Sequence, residues 1–171
     1  MSGRKMSNIL VMNGFSQAAK SPTVAVLADG QNVNVIKYSK EVLKVANTLG
    51  DLIFLKLYHH WDRIKLTKIH RVKTDGWEAV PVLGRHKNAL DDQAIQECQD
   101  YFHDSNMPDI LILITGDKDF AGLVESFLAA SRRVIIIGRR NSVSHRLKRL
   151  VKQDCLWVEE LSNCFLPSLE N

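Results

Sequence analysis

The sequence predicts an α/β domain built on a mostly parallel sheet with helices on both faces, and three observations carry that expectation. The segments 23–28 (Thr-Val-Ala-Val-Leu-Ala) and 110–114 (Ile-Leu-Ile-Leu-Ile) are apolar runs without polar alternation, as in strands buried on both faces. Each ends abruptly in a turn that carries carboxylates, Asp29-Gly30 in one case and Gly116-Asp117-Lys118-Asp119 in the other. Between the strand-like runs lie stretches with apolar residues at three-four spacing, so strands and helices alternate along the chain.

Taken in order, the first strand covers Val24 to Ala28 and is followed by an amphipathic helix from Val35 to Leu49. A second strand is expected from Ile53 to Tyr58, a helix from Arg63 to Val72, and a third strand from Glu78 to Leu83. Ala94, Ile95, Cys98, Tyr101 and Phe102 mark the core face of a helix from Asp91 to His103. The buried run from Ile110 to Thr115 is the fourth strand, followed by a helix from Phe120 to Ala130 and a strand from Arg133 to Ile137. Val143, Leu147, Leu150 and Val151 line one face of a last helix from Ser142 to Lys152, before a short strand from Leu156 to Val158. Trp77 and Trp157 stand at strand starts and read as packing residues.

Open α/β sheets bind ligands at the carboxyl ends of their strands, which is where Asp29, Asp117 and Asp119 fall. If the first and fourth strands are neighbours, these acids converge, and one of Asp91 and Asp92 joins them from the first turn of its helix. Like charges ~4 Å apart repel by roughly 4 kcal/mol at an effective dielectric near 20. Such a cluster calls for a cation or a shared proton, and a divalent metal is the simplest answer. Magnesium takes oxygen ligands and keeps several waters, so one or two direct carboxylates suffice. Each acid also has a plainer reading: Asp119 as a helix cap, Asp29-Gly30 as turn chemistry, Asp91 and Asp92 as partners of a helix dipole. Recurrence at three strand-edge positions favours a site.

Three motifs occur in order: Asp29-Gly30-Gln31-Asn32 after a strand, Lys87-Asn88-Ala89-Leu90-Asp91 opening a helix, and Thr115-Gly116-Asp117-Lys118-Asp119-Phe120 after a strand. In this the chain resembles the NYN domain, a branch of the PIN-like nucleases, and specifically its LabA-like group, from about Val24 to Leu161. The resemblance implies a Rossmann-like sheet, an acidic cluster around Mg2+ or Mn2+, and hydrolysis of RNA phosphodiesters. Asp29, Asp91, Asp117 and Asp119 match the family's acidic positions, Asn32 its polar partner, and Thr115 a supporting residue. Glu97 falls where many relatives place a further helical Asp, which keeps the charge on a longer arm. Lys118 stands where small residues are frequent and reads as pointing to solvent.

The implied chemistry is metal-assisted hydrolysis without a covalent nucleophile, and the chain has no Gly-x-Ser-x-Gly elbow. A haloacid-dehalogenase-type phosphatase would need an Asp where Gln31 stands, and a Toprim-like element would lack the Lys-Asn-Ala-x-Asp motif. The main competitor is a non-catalytic RNA-binding or regulatory module on the same scaffold.

At 171 residues the chain suits one domain that buries roughly 70% of its unfolded surface. We expect a flexible basic leader over residues 1–22, the domain over 23–162 and a tail over 163–171. The leader's Ser-rich, acid-poor bias also suits an organellar transit peptide, the lesser reading. Three scattered cysteines, Cys98, Cys155 and Cys164, have no zinc-site spacing and suggest a reduced, cytoplasmic setting; no run approaches a membrane-spanning length. Net charge is +4, concentrated in eight Lys/Arg between Arg132 and Gln153 and five between Arg63 and Lys73, with no acid in either stretch. Lys87, Arg139, Arg140, Arg146 and Arg149 are the expected RNA-contacting residues, since phosphate contacts supply most non-specific affinity. Gly138-Arg139-Arg140-Asn141-Ser142 suits a phosphate but lacks the elements of a P-loop. In His59-His60-Trp61-Asp62 the histidines read as surface residues, with metal ligation or base stacking on Trp61 as the sharper alternative.

Overall fold

A computed structural model describes residues 20–103 and 106–163. The expected leader lies outside these residues apart from its last three positions, as do the tail beyond Asn163 and Cys164. Six strands, β1 (Thr23–Asp29), β2 (Asp51–His59), β3 (Glu78–Pro81), β4 (Ile110–Ile114), β5 (Arg133–Gly138) and β6 (Cys155–Trp157), form one sheet in the order β3-β2-β1-β4-β5-β6. Every neighbouring pair is parallel. Five helices connect them: α1 (Val35–Leu49), α2 (Leu66–Thr74), α3 (Ala89–Tyr101), α4 (Ala121–Ala129) and α5 (His145–Val151).

Strand alternation divides the core into two layers. Ala25 and Leu27 of β1, Phe54 and Tyr58 of β2, and Leu111 and Leu113 of β4 face α3, α4 and α5. Val24, Val26 and Ala28 of β1 and Ile110, Ile112 and Ile114 of β4 face the opposite layer, with Val42, Val45 and Ala46 of α1 and Val72 of α2. Burying each such Val, Leu or Ile contributes roughly 1.5–3 kcal/mol, which explains why β1 and β4 need apolar residues on both faces. The same parity directs Asp29, two residues after Leu27, and Thr115, two after Leu113, towards α3.

Several boundaries differ from the sequence reading. The helix expected to begin at Arg63 is broken: Trp61–Arg63 form a 3-10 turn, Ile64 is extended (φ −108°, ψ 135°), and α2 starts at Leu66. The break lets Trp61 and Ile64 both pack on the α1 layer, with the Trp61 indole N–H donating to the Val80 carbonyl at 2.9 Å. β3 stops at Pro81, which has no N–H to continue a ladder. α3 begins at Ala89, so Asp91 and Asp92 lie inside its first turn and do not open it. Before α4 a 3-10 turn at Lys118–Phe120 is capped by Asp117, which accepts the Asp119 N–H at 3.0 Å, so Asp119 is not the cap.

Candidate active site

Because β1 and β4 are adjacent and their chains leave in opposite directions, towards β2 and towards β5, a crevice opens at their carboxyl ends. Asp29 closes β1 and is 4% exposed. One of its oxygens accepts the Gln31 and Asn32 N–H groups at 3.0 and 3.1 Å, and the other accepts the buried Thr115 hydroxyl at 3.0 Å. Thr115 also accepts the Asp117 N–H at 3.1 Å, so one hydroxyl ties the β1 acid to the β4 loop. Asn32 makes a second tie by accepting the Gly116 N–H at 2.9 Å. Gly116 is needed for close approach: a Cβ there would come within 2.3 Å of the Ser142 carbonyl oxygen.

Asp91, Asp117 and Asp119 each bring a carboxylate oxygen within 4.8 Å of the others. They grade outward, Asp91 buried, Asp117 half-buried and Asp119 exposed, which leaves the cluster open to solvent on one side. Asn88, just before α3, donates to Asp119 at 3.1 Å and holds the β4 loop to the start of that helix. Burial, then the charges of Asp29, Asp117, Asp119 and Asp92, push the Asp91 carboxyl up to about 7. Burial also raises Asp29, against the opposing effect of its hydrogen bonds. The donor set suits a hard cation. Oxygens around an octahedral magnesium at ~2.1 Å sit roughly 3–4 Å apart, a range inside the 4.8 Å limit of this group.

The other expected residues are distributed differently. Asp92 is exposed and pairs with His86 at 3.0 Å. Glu97 lies further along α3, where its carboxylate accepts from Tyr58 Oη (2.9 Å), Lys56 Nζ (3.3 Å) and Gln93 Nε2 (3.0 Å) and stands apart from the group of three. Burial alone would raise Glu97, but those three donors outweigh it and hold its carboxyl below the usual range. Arg146 pairs with Glu125 at 2.8 Å, Arg140 pairs with Glu160 and lies over the Trp157 ring, and Arg149 is exposed. Lys118 is exposed, as expected.

Two cavities border the β1 loop and meet at Gln31. One of about 320 Å³ takes in His59, Lys68 and Arg139, and one of about 470 Å³ takes in Trp61, Arg85 and Lys87. The sequence reading included Arg63 only as part of a basic stretch and passed over Arg85, His86 and the Asn88 contact to Asp119. The basic run Arg85-His86-Lys87 before an acid-bearing helix was the available signal.

The profile of the NYN domain family matches residues 23–155. The chain belongs to the NYN domain family. This places the NYN domain in the PIN-like nuclease superfamily, and its three-carboxylate cluster provides a set of residues able to hold a divalent metal. The structure of a protein of unknown function from Vibrio parahaemolyticus has the same fold, with a TM-score of 0.63 and 21% identity over 85% of this chain and 98% of that one. No curated protein matches this chain. Among the described residues no helix is long and apolar enough to cross a membrane.

Proposed function

We propose that this NYN domain is a metal-dependent ribonuclease of the LabA-like group, hydrolysing RNA phosphodiester bonds with Mg2+ or Mn2+. The observation that carries the reading is the convergence of Asp91, Asp117 and Asp119, within 4.8 Å of one another, at the crevice where Asp29 also ends β1. Asp91, Asp117 and Asp119 would hold the ion, and Asp29 would adjoin it, oriented by Thr115 and the Gln31 and Asn32 amides. When bound, a divalent ion supplies a water of lowered pKa and a counter-charge for the leaving oxygen.

The chain's own groups do the positioning. Thr115 keeps the Asp29 carboxylate pointed at the cluster, and its link to the Asp117 amide fixes the β4 loop relative to β1. Asn88 restrains the exposed Asp119, which otherwise would swing into solvent. Lys87 and Arg139 flank the crevice and would bind phosphates on either side of the scissile bond. Glu97 would act through the helix: its hold on Tyr58 and Lys56 anchors α3 to β2 and thereby sets the position of Asp91. The two described cysteines, Cys98 and Cys155, are free thiols, which supports a reducing, cytoplasmic setting.

The test is incubation of labelled single-stranded and hairpin RNA with the protein in Mn2+, in Mg2+ and in EDTA, beside an Asp117→Asn variant. Cleavage that needs metal and disappears in the variant is expected. RNA binding without cleavage in any metal would refute hydrolysis and leave a binding module.

A further inference from the structure

The cavity of about 470 Å³ beside the acid cluster has a composition the hydrolytic chemistry does not require. Its lining carries Arg63, Arg85 and Lys87 against a single acid, Asp62. None of those three cations forms an ion pair among the described residues, whereas Arg132, Arg133, Arg140 and Arg146 all do. Unneutralised cations in a concave site attract an anion. Trp61 supplies an aromatic surface in the same cavity, and it is held in place: its N–H is taken by the Val80 carbonyl and its ring lies 5.4 Å from that of His59. A ring already fixed loses little entropy on stacking. Leu83, 83% exposed, adds apolar surface at the same lining.

The position relates this cavity to the cluster at two points. Gln31, on its lining, is two residues beyond Asp29, and Lys87, also on it, precedes the Asn88 that holds Asp119. The cavity therefore borders the two segments that lead to Asp29 and to the Asn88–Asp119 contact. The volume lies within the roughly 300–1,000 Å³ of small-ligand clefts, the size class of one nucleotide and far below a duplex.

We propose that this cavity seats one nucleotide of the substrate, its base against Trp61 and its phosphates on Arg63, Arg85 and Lys87, a fit that requires the base to be unpaired. The proposal rests on the ribonuclease reading for the identity of the ligand and is tested without hydrolysis. Fluorescence anisotropy in EDTA compares a fluorescein-labelled 12-nucleotide RNA with the same strand in a blunt duplex, over a salt series. The single strand is expected to bind at least about tenfold more tightly. An Arg63→Gln/Arg85→Gln double variant, altered only at exposed positions, should weaken that binding about tenfold or more with an unchanged unfolding midpoint. Its log-log salt slope should fall by roughly 1.4, since each lost phosphate contact on a single strand removes roughly 0.7. Binding should also quench tryptophan fluorescence, and Trp61→Phe should abolish the quench while retaining a stacking ring.

Equal affinity for single strand and duplex, or an unchanged salt slope in the double variant, would overturn the proposal. Cleavage is read afterwards on the same samples with Mn2+ added. A protein that binds single strands through this cavity but cleaves none refutes the nuclease reading alone; one that cleaves while the double variant binds undiminished refutes the nucleotide seat alone.

Discussion

Replacing Asp91 with Asn in the metal-free protein is expected to raise its stability at neutral and alkaline pH and to leave it nearly unchanged in acid. The Asp91 carboxyl is pushed from its ordinary 3.8 up to about 7, first by burial and then by Asp29, Asp117, Asp119 and Asp92. Folding therefore favours its protonated form. The corresponding stability is complete below the unfolded value of 3.8 and is lost as pH rises through about 7. The difference between 3.8 and about 7 corresponds to ~4 kcal/mol. Geometry gives a similar size: at 4.8 Å, the outer limit of the group's oxygen separations, two charges repel by roughly 3.5 kcal/mol at an effective dielectric of about 20. Solvent screens the exposed Asp119, so ~2–4 kcal/mol is the expected gain for Asp91→Asn near pH 8. In a domain of this length that raises the midpoint by roughly 5–15 °C. Thermal unfolding in EDTA, from about pH 3 to pH 8, measures it. With Mn2+ at a hundredfold excess over Kd the gap should narrow, because wild type gains ~2.7 kcal/mol and the variant gains less. A variant no more stable than wild type near pH 8 in EDTA, or equally stabilised at both ends of the range, would refute the electrostatic account of the cluster.

Thr115→Val removes the hydroxyl that serves both Asp29 and the Asp117 amide; it should cost roughly 1–3 kcal/mol of stability and weaken Mn2+ binding, by calorimetry, roughly 10–100-fold. Gly116→Ala would drive a Cβ to 2.3 Å from the Ser142 carbonyl oxygen, so the β4 and β5 loops must part, at roughly 1–3 kcal/mol in urea unfolding. Glu97→Gln should keep Mn2+ affinity within about threefold while lowering stability by ~1 kcal/mol through the weakened Lys56 and Tyr58 bonds; a loss of affinity beyond about tenfold would make Glu97 a ligand. The Cys98 thiol, raised to about 12 by burial, should react with a thiol reagent only on unfolding.

The alternation of buried runs and amphipathic segments was sufficient to define the parallel sheet, because strands covered on both faces have no other composition open to them. That Asp29, Asp117 and Asp119 lie at one edge of the sheet was equally legible, since each follows the end of a buried strand and parallel neighbours end at the same edge. Local pattern did not reveal that Asp117, and not Asp119, caps the turn into α4, nor that a break at Ile64 lets Trp61 pack and be pinned by Val80. It also did not show that Glu97 turns to Lys56 and Tyr58. Those outcomes depend on which strand lies beside which helix. The adjacency of β1 and β4, separated by over eighty residues as in the Thr115 to Asp29 bond, is a property of chain topology. What the sequence determined by itself is the fold class and the supply of carboxylates. Tertiary structure alone decided which acids share a solvent-open cluster and, among the described residues, which arginines are neutralised and which around Trp61 form no ion pair, because those depend on distances of a few ångströms between segments remote in the chain.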